Sequence, residues 1–237
     1  MIRRAYEFLD FNSPMDDTTA AALVEEVSLL EPERIVDVGC GWAELLLRVL
    51  EACPTATGMG IENDGRLTKR AMKNASARGL LDRISFRSEV SPTDQGDVAI
   101  CIGSEHVFGS LEEALAGLRA VVTPGGALLL GTLFWEQPPT SELAADFVEV
   151  QELDAVIAAA ESSGWSLRQV RLASSDDWDR FEYGFMRDWE QLTLTAEDEA
   201  ARTAAQSAAD DYHESYLKRR GILGFAFLTL VRDSIDP

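Results

Sequence analysis

Short apolar runs alternate with amphipathic stretches through the first 133 positions. Residues 1–14 read as an irregular arm ending at Pro14. Asp16 or Asp17 then caps a helix whose apolar positions Ala20, Leu23, Val24, Val27 and Leu30 recur at helical spacing. Ile35, Val36 and Val38 form a first β-branched strand, and 43–51 reads as a helix that is apolar on one side. A second strand spans 57–61 and ends in Glu62-Asn63-Asp64. The polar-faced helix 66–78 follows and is closed by Gly79. Alternation over 83–87 predicts a third strand, and the continuous apolar run 97–102 a buried fourth. Ser110 and Glu113 form a capping box that opens a helix to about Val122. Pro124-Gly125-Gly126 predicts a turn, and 127–132 a fifth strand. Such regular alternation of strands and helices predicts a parallel sheet.

Beyond 133 the pattern loosens. Residues 135–140 read as a rigid linker, 153–162 as a helix and 165–170 as a strand. The stretch 174–219 is strongly helical, rich in Ala, Asp and Glu, yet it carries Trp178, Phe181, Tyr183, Phe185, Met186 and Trp189. A last apolar strand covers 224–231. There is no internal repeat.

Charge narrows the partners. Twenty-one basic against 41 acidic residues leave a net charge of −20 over 237 residues. Such a surface repels phosphate backbones and anionic membranes, so the expected partner is a small molecule rather than nucleic acid or a bilayer. Whether the chain is a monomer or a homodimer stays open. Cys40, Cys53 and Cys101 are odd in number and contain no CxxC pair, which argues against a disulfide framework or a zinc site and for a reducing compartment. With His106 and His213 as the two histidines, a histidine-rich metal cluster is excluded, and no metal is expected. No signal peptide and no run long enough to span a bilayer is present, so a cytoplasmic location is expected.

Strand, glycine turn and helix over 34–44 is the arrangement that grips a nucleotide-like cofactor at the first crossover of a doubly wound sheet. A dinucleotide fingerprint requires a third glycine three residues after Gly41, and Glu44 stands there. A carboxylate at a helix start suits the macrodipole but repels a pyrophosphate. The expected cofactor has no phosphates and carries a cationic centre.

Asp37-Val38-Gly39-Cys40-Gly41 resembles motif I of the class I S-adenosylmethionine-dependent methyltransferases. Ala43 departs from it, since many of those enzymes have glycine there; the turn is expected to survive with less room. The resemblance covers 15–133 well and the rest in outline, through 176–180 and 216–227, and points to a bacterial branch acting on small molecules. It implies a Rossmann-like, doubly wound α/β fold: a mostly parallel seven-stranded sheet with an antiparallel last strand and a helical lid. The domain expected is a single methyltransferase domain over 1–237, its core being 15–133 with 164–172 and 222–232, and its lid 174–220.

The resemblance also assigns roles around S-adenosyl-L-methionine. Glu62, about 20 residues beyond the glycine turn, is expected on the ribose hydroxyls, because a carboxylate accepts two charge-assisted hydrogen bonds. Glu89 is expected at the adenine amino group, with Val90 against the ring. Asp37 either orients the turn or reaches the methionine amino group. Gly39, Cys40, Gly41 and Asn63 are placed along the cofactor, Asp64 caps the next helix, and Gly103 and Ser104 flank the methionine moiety. His106 is the first candidate general base, because imidazole takes up a proton near neutrality; Glu105 is the second. Trp135, Trp178, Tyr183 and Tyr216 are candidate substrate contacts.

The expected reaction is in-line methyl transfer to an O, N or C nucleophile of a small organic molecule. Two alternatives remain: a non-catalytic cofactor-binding partner subunit and an NAD-dependent oxidoreductase. The glutamate at position 44 speaks against the oxidoreductase.

Overall fold

The computed structural model describes residues 6–91 and 93–233; the first five residues of the expected arm lie outside these. Seven strands form one sheet: β1 (Arg34–Val38), β2 (Thr57–Ile61), β3 (Ile84–Arg87), β4 (Gly96–Ile102), β5 (Val122–Trp135), β6 (Trp165–Leu172) and β7 (Leu223–Arg232). Their spatial order is β3-β2-β1-β4-β5-β7-β6. β1 pairs in parallel with both β2 and β4, and β7 runs antiparallel to both β5 and β6. The order reverses at β1, which opens a crevice between the carboxyl ends of β1 and β4, where open α/β sheets bind ligands.

Both faces of the sheet are covered, which is why its strands read as continuous apolar runs. Ile35, Val98, Ile100 and Leu129 point to one side, where they meet α1 (Asp17–Ser28), α2 (Glu44–Ala52) and α3 (Gly65–Ala77). Val36, Ala99, Cys101 and Leu128 point to the other and meet α4 (Leu111–Val121). A short helix α5 (Ser141–Asp146) precedes α6 (Leu153–Ser162), which joins the same face through Val156 and Ala160. The caps follow the sequence: Asp16 accepts from Thr19 N at 2.7 Å, and Ser110 and Glu113 make the reciprocal capping box. Leu30, expected on the apolar face of α1, lies past the helix end and is exposed.

Two expectations are corrected, and one helix is added. The Pro124-Gly125-Gly126 turn is absorbed into β5: Gly96 pairs with Val122 and Val98 with Ala127, so the extra residues bulge out of an otherwise continuous strand. Trp135 ends β5 rather than opening a linker, because it pairs with Leu223 and its N–H reaches Gln151 O at 2.9 Å. Helix α5, capped by Thr140, lies in a stretch to which the sequence pattern assigned no element.

The helical stretch before the last strand is a hairpin of α7 (Ser175–Leu194) and α8 (Glu199–Arg219). Polar contacts lock it. Tyr216 donates to Asp179, Arg220 donates to both oxygens of Asp179 at 2.8 Å, and Arg219 pairs with Glu182 at 2.9 Å. Hydrogen bonds from Arg220 and Tyr216 hold the Asp179 carboxyl down at about 2; burial and the same carboxylate push the Tyr216 hydroxyl up. The amino-terminal arm packs on α7: Tyr6 N donates to Asp188 at 2.9 Å, and Leu9, Trp42 and Phe185 form a small core. No helix among the described residues is long and apolar enough to cross a membrane.

Candidate active site

Two adjoining cavities open at the carboxyl ends of the parallel strands. The first, about 1030 Å³, lies beyond β1, β2 and β4. The second, about 650 Å³, lies between the ends of β5 and β7 and α7. Asn12, Ser13, Gly103 and His106 line both.

The wall of the first cavity is built by the turn after β1. Gly39 N and Cys40 N both donate to Ile61 O, at 2.8 and 3.0 Å, so the turn leans onto β2. Ser104 Oγ donates to Val38 O at 2.6 Å and latches the loop after β4 to β1. Gly39 has φ +72°, and a Cβ there would lie 2.6 Å from Ser104 Oγ and overlap Ser104 Cβ. At Gly41, with φ +56°, a Cβ would meet nothing within 4 Å, because that side of the backbone faces open space. Ala43 takes the same left-handed conformation, with φ 60°, so the departure from glycine stores about 1–2 kcal/mol of backbone strain at the helix start.

Glu62 ties this turn to β2. One oxygen accepts from Gly41 N at 3.0 Å and the other from Asp64 N at 2.8 Å. Asp64 in turn caps α3 through Arg66 N at 2.9 Å. Exposed Asn63 and Glu89 and half-buried Val90 line the same cavity. The loop carrying Glu89 is pinned by buried Asp94, which accepts from Ser91 N at 2.9 Å and pairs with Arg87 at 2.8 Å. Asp94 went unnoticed in the sequence, where one acid in a polar loop has no distinguishing pattern.

Glu44 acts differently from its sequence reading. It pairs with Arg48 at 2.8 Å and Arg78 at 2.7 Å, so its charge is met locally. Burial opposes its ionisation, but the hydrogen bonds from Arg78 and Arg48 prevail and lower its pKa. The carboxyl groups of Asp37, Glu62 and Glu89 line the same cleft. Asp37 is 5% exposed, and burial, with the nearby negative charge of Glu62, raises its carboxyl to about 8. Burial first, then Asp37 and Glu62, push the Cys40 thiol far up, so Cys40 is a packing group and not a nucleophile.

The Asp37 shift carries a sign. A carboxyl whose folded pKa lies above its unfolded value favours folding fully below about 4 and progressively loses that contribution as pH rises through about 8. The urea midpoint of the ligand-free protein should fall between pH 5 and 9. In Asp37→Asn that fall should flatten; an equally steep fall would remove Asp37 as its cause.

Around the second cavity, His106 is exposed in the 3-10 turn Glu105–Val107 that follows β4. Glu105 Oε1 accepts from Thr132 Oγ1 at 2.7 Å. Its Oε2 is buried and has no hydrogen-bond partner among the described residues. Trp178, Phe181 and Phe225 supply apolar walls, with Trp178 edge-on to Phe181 at 6.2 Å and to Phe225 at 6.4 Å.

The structure thus brings Asp37, Gly39, Cys40, Gly41, Glu62, Asn63, Glu89, Val90, Gly103 and Ser104 onto the first cavity, Glu105 and Trp178 onto the second, and His106 onto both. It does not bring the other three candidate substrate contacts to either. Trp135 stands behind Phe147, 6.1 Å away and edge-on. Tyr183 is exposed beside His213, and Tyr216 is spent on Asp179 inside the α7–α8 hairpin. The arm supplies what sequence reading missed: Asn12 and Ser13 between the cavities and Phe11 and Met15 in the first. Arg70 holds the arm there. It donates to Tyr6 O at 2.7 Å and Leu9 O at 3.0 Å and lies 4.0 Å over the Trp42 ring.

The doubly wound sheet thus places a glycine turn, the acid after β2 and an open cleft at its switch point, where open α/β sheets bind ligands. Residues 35–126 match the family model described as a methyltransferase domain. The chain is 27% identical over 186 residues to the uncharacterized protein YjhP of Escherichia coli (strain K12), covering 72% of this chain and 73% of that one. Among solved structures it resembles a SAM-dependent methyltransferase from Thiobacillus denitrificans in complex with S-adenosyl-L-homocysteine, with a TM-score of 0.85 and 24% identity over 98% of this chain and 99% of that one. A SAM-dependent methyltransferase from Geobacter sulfurreducens, also in complex with S-adenosyl-L-homocysteine, matches with a TM-score of 0.84 and 24% identity, covering 94% and 93%. Residues 35–126 thus carry a match to a methyltransferase domain, within a fold shared with these solved structures.

Proposed function

We propose that the protein transfers a methyl group from S-adenosyl-L-methionine to an O, N or C nucleophile of a small organic molecule held in the second cavity. One observation carries this reading: two cavities of different character meet at Gly103 and His106, one acidic and glycine-lined, the other walled by aromatics. The first suits the cofactor. It offers open backbone at Gly41, a carboxylate pinned at Glu62 and acidic charge for a cationic ligand. Glu62 holds the ribose hydroxyls, Glu89 and Val90 hold the adenine, and Asp37, Gly103 and Ser104 flank the methionine end. When bound, S-adenosyl-L-methionine supplies a methyl group activated by its sulfonium.

The protein contributes position. Aligning acceptor and methyl donor is worth roughly 7–11 kcal/mol, and Asn12 and Ser13 of the arm line both cavities while Trp178 and Phe181 of α7 wall the second. Methyl transfer to a hydroxyl or amine leaves one proton in excess, and His106, at the junction, takes it. Proton removal of this kind contributes about 10²–10⁴-fold.

Thermal unfolding tests the reading. S-adenosyl-L-homocysteine at 100 times its dissociation constant adds about 2.7 kcal/mol and should raise the midpoint by roughly 5–10 °C, with no rise from NAD. A rise with NAD alone would move the protein to the oxidoreductases. With an acceptor in hand, His106→Gln should lower turnover by about 10²–10⁴-fold while leaving S-adenosyl-L-homocysteine affinity unchanged; natural turnover in that variant would free His106 of the base role.

A further inference from the structure

The polarity of the second cavity selects the acceptor. Its described lining includes the carboxylates of Glu105, Asp146, Glu149 and Glu182 but one guanidinium, Arg219, and no lysine. Arg219 is not available to an anionic ligand: it pairs with Glu182 at 2.9 Å, both side chains being deeply buried at 11% and 3% exposed. Glu105 stands at the end nearest the first cavity, two residues from Gly103, with Oε2 buried and without a hydrogen-bond partner among the described residues. A buried acceptor left unmade is costly, and a ligand that brings a donor removes the cost. Trp178, Phe181, Phe225 and Leu133 add apolar surface and aromatic rings, which attract cations, and Trp178 Nε1, buried and also without a partner among the described residues, adds one donor.

We infer that the second cavity takes a small apolar amine, its N–H group held by Glu105, and rejects molecules bearing a carboxylate or phosphate. This rests on the methyltransferase reading above and deepens it by making nitrogen the atom presented to the methyl donor. Thr132 is the positioning residue: its hydroxyl fixes one carboxylate oxygen and leaves the other for the ligand.

The test is binding, measured without cofactor by ligand-observed NMR and calorimetry. Three probes share one apolar body: 2-phenylethylamine, 2-phenylethanol and phenylacetate. The amine should bind at least about tenfold more tightly than phenylacetate, a difference of roughly 1.4 kcal/mol, and more tightly than the alcohol. In Glu105→Gln the amine's advantage should shrink to within about threefold, and in Thr132→Val it should shrink part of the way. The inference is overturned by phenylacetate or the alcohol binding as well as the amine, by no binding of the amine, or by an undiminished preference in a folded Glu105→Gln. Should that variant not fold, the ranking of probes on the natural chain decides. Titration of the same natural chain with S-adenosyl-L-homocysteine separates the two claims. Its failure to bind overturns the methyltransferase reading; its binding without amine preference overturns only the acceptor class.

Discussion

Glu62→Ala should weaken S-adenosyl-L-homocysteine binding by about 10- to 150-fold, the consequence of losing about 1.5–3 kcal/mol of charge-assisted hydrogen bonding. The carboxylate is pinned before any ligand arrives, because Gly41 N donates to one oxygen at 3.0 Å and Asp64 N to the other at 2.8 Å. A carboxylate offers about four acceptor positions, so two remain for a pair of ribose hydroxyls. Truncation removes those and also strands the Gly41 amide, loosening the turn that lines the cleft. Glu62→Gln keeps the shape and one oxygen and should fall between the two. Calorimetric titration of the three proteins reads the series, and equal affinities would show that the β2 carboxylate does not meet the ligand.

Gly39→Ala should destabilise the protein by roughly 2–5 kcal/mol, lowering the thermal midpoint by about 5–15 °C. Two costs combine at this position. The left-handed backbone, with φ +72°, disfavours any side chain, and the new Cβ would overlap Ser104, which cannot retreat while its hydroxyl donates to Val38 O at 2.6 Å. Gly41→Ala is the internal control. Its φ of +56° imposes the conformational cost, but its Cβ would stand in open space, so only about 1–2 kcal/mol should be lost. Equal destabilisation of the two variants would mean that the contact between the loops after β1 and β4 is loose.

Local signals carried far into the fold. β1 to β4 and the helices between them lie where apolar runs, caps and glycines placed them, because each is bounded by a residue with one strong local preference: Asp16, Asp64, Gly79, Ser110. The lining of the first cavity was legible for the same reason. Asp37, Gly39, Gly41 and Glu62 fall within one strand–turn–helix–strand unit, so their spacing along the chain already sets their spacing in space. Where the reading faltered, distant partners decided. Pro124-Gly125-Gly126 reads as a turn by itself and becomes a bulge because β4 pairs with β5 on both sides of it and β7 joins from Ala127 onward. Tyr216 and Tyr183 read as pocket aromatics, yet which face of α8 or α7 meets the sheet depends on partners more than 30 residues away, among them Asp179, 37 residues from Tyr216.

By itself the sequence determined the class of fold, the strand–glycine turn–helix crossover at the switch point, and the acidity of the chain, since all three depend on residue type and short-range order. Only the tertiary structure decided that Glu44 is neutralised by Arg48 and Arg78, that Asn12 and Ser13 of the arm stand between two cavities, and that Glu105 keeps one buried oxygen unmatched among the described residues. Each of these is a relation between segments that meet only when the sheet closes. Charge pairing, burial and an unmade hydrogen bond are properties of a neighbourhood in space, and no local pattern along the chain encodes them.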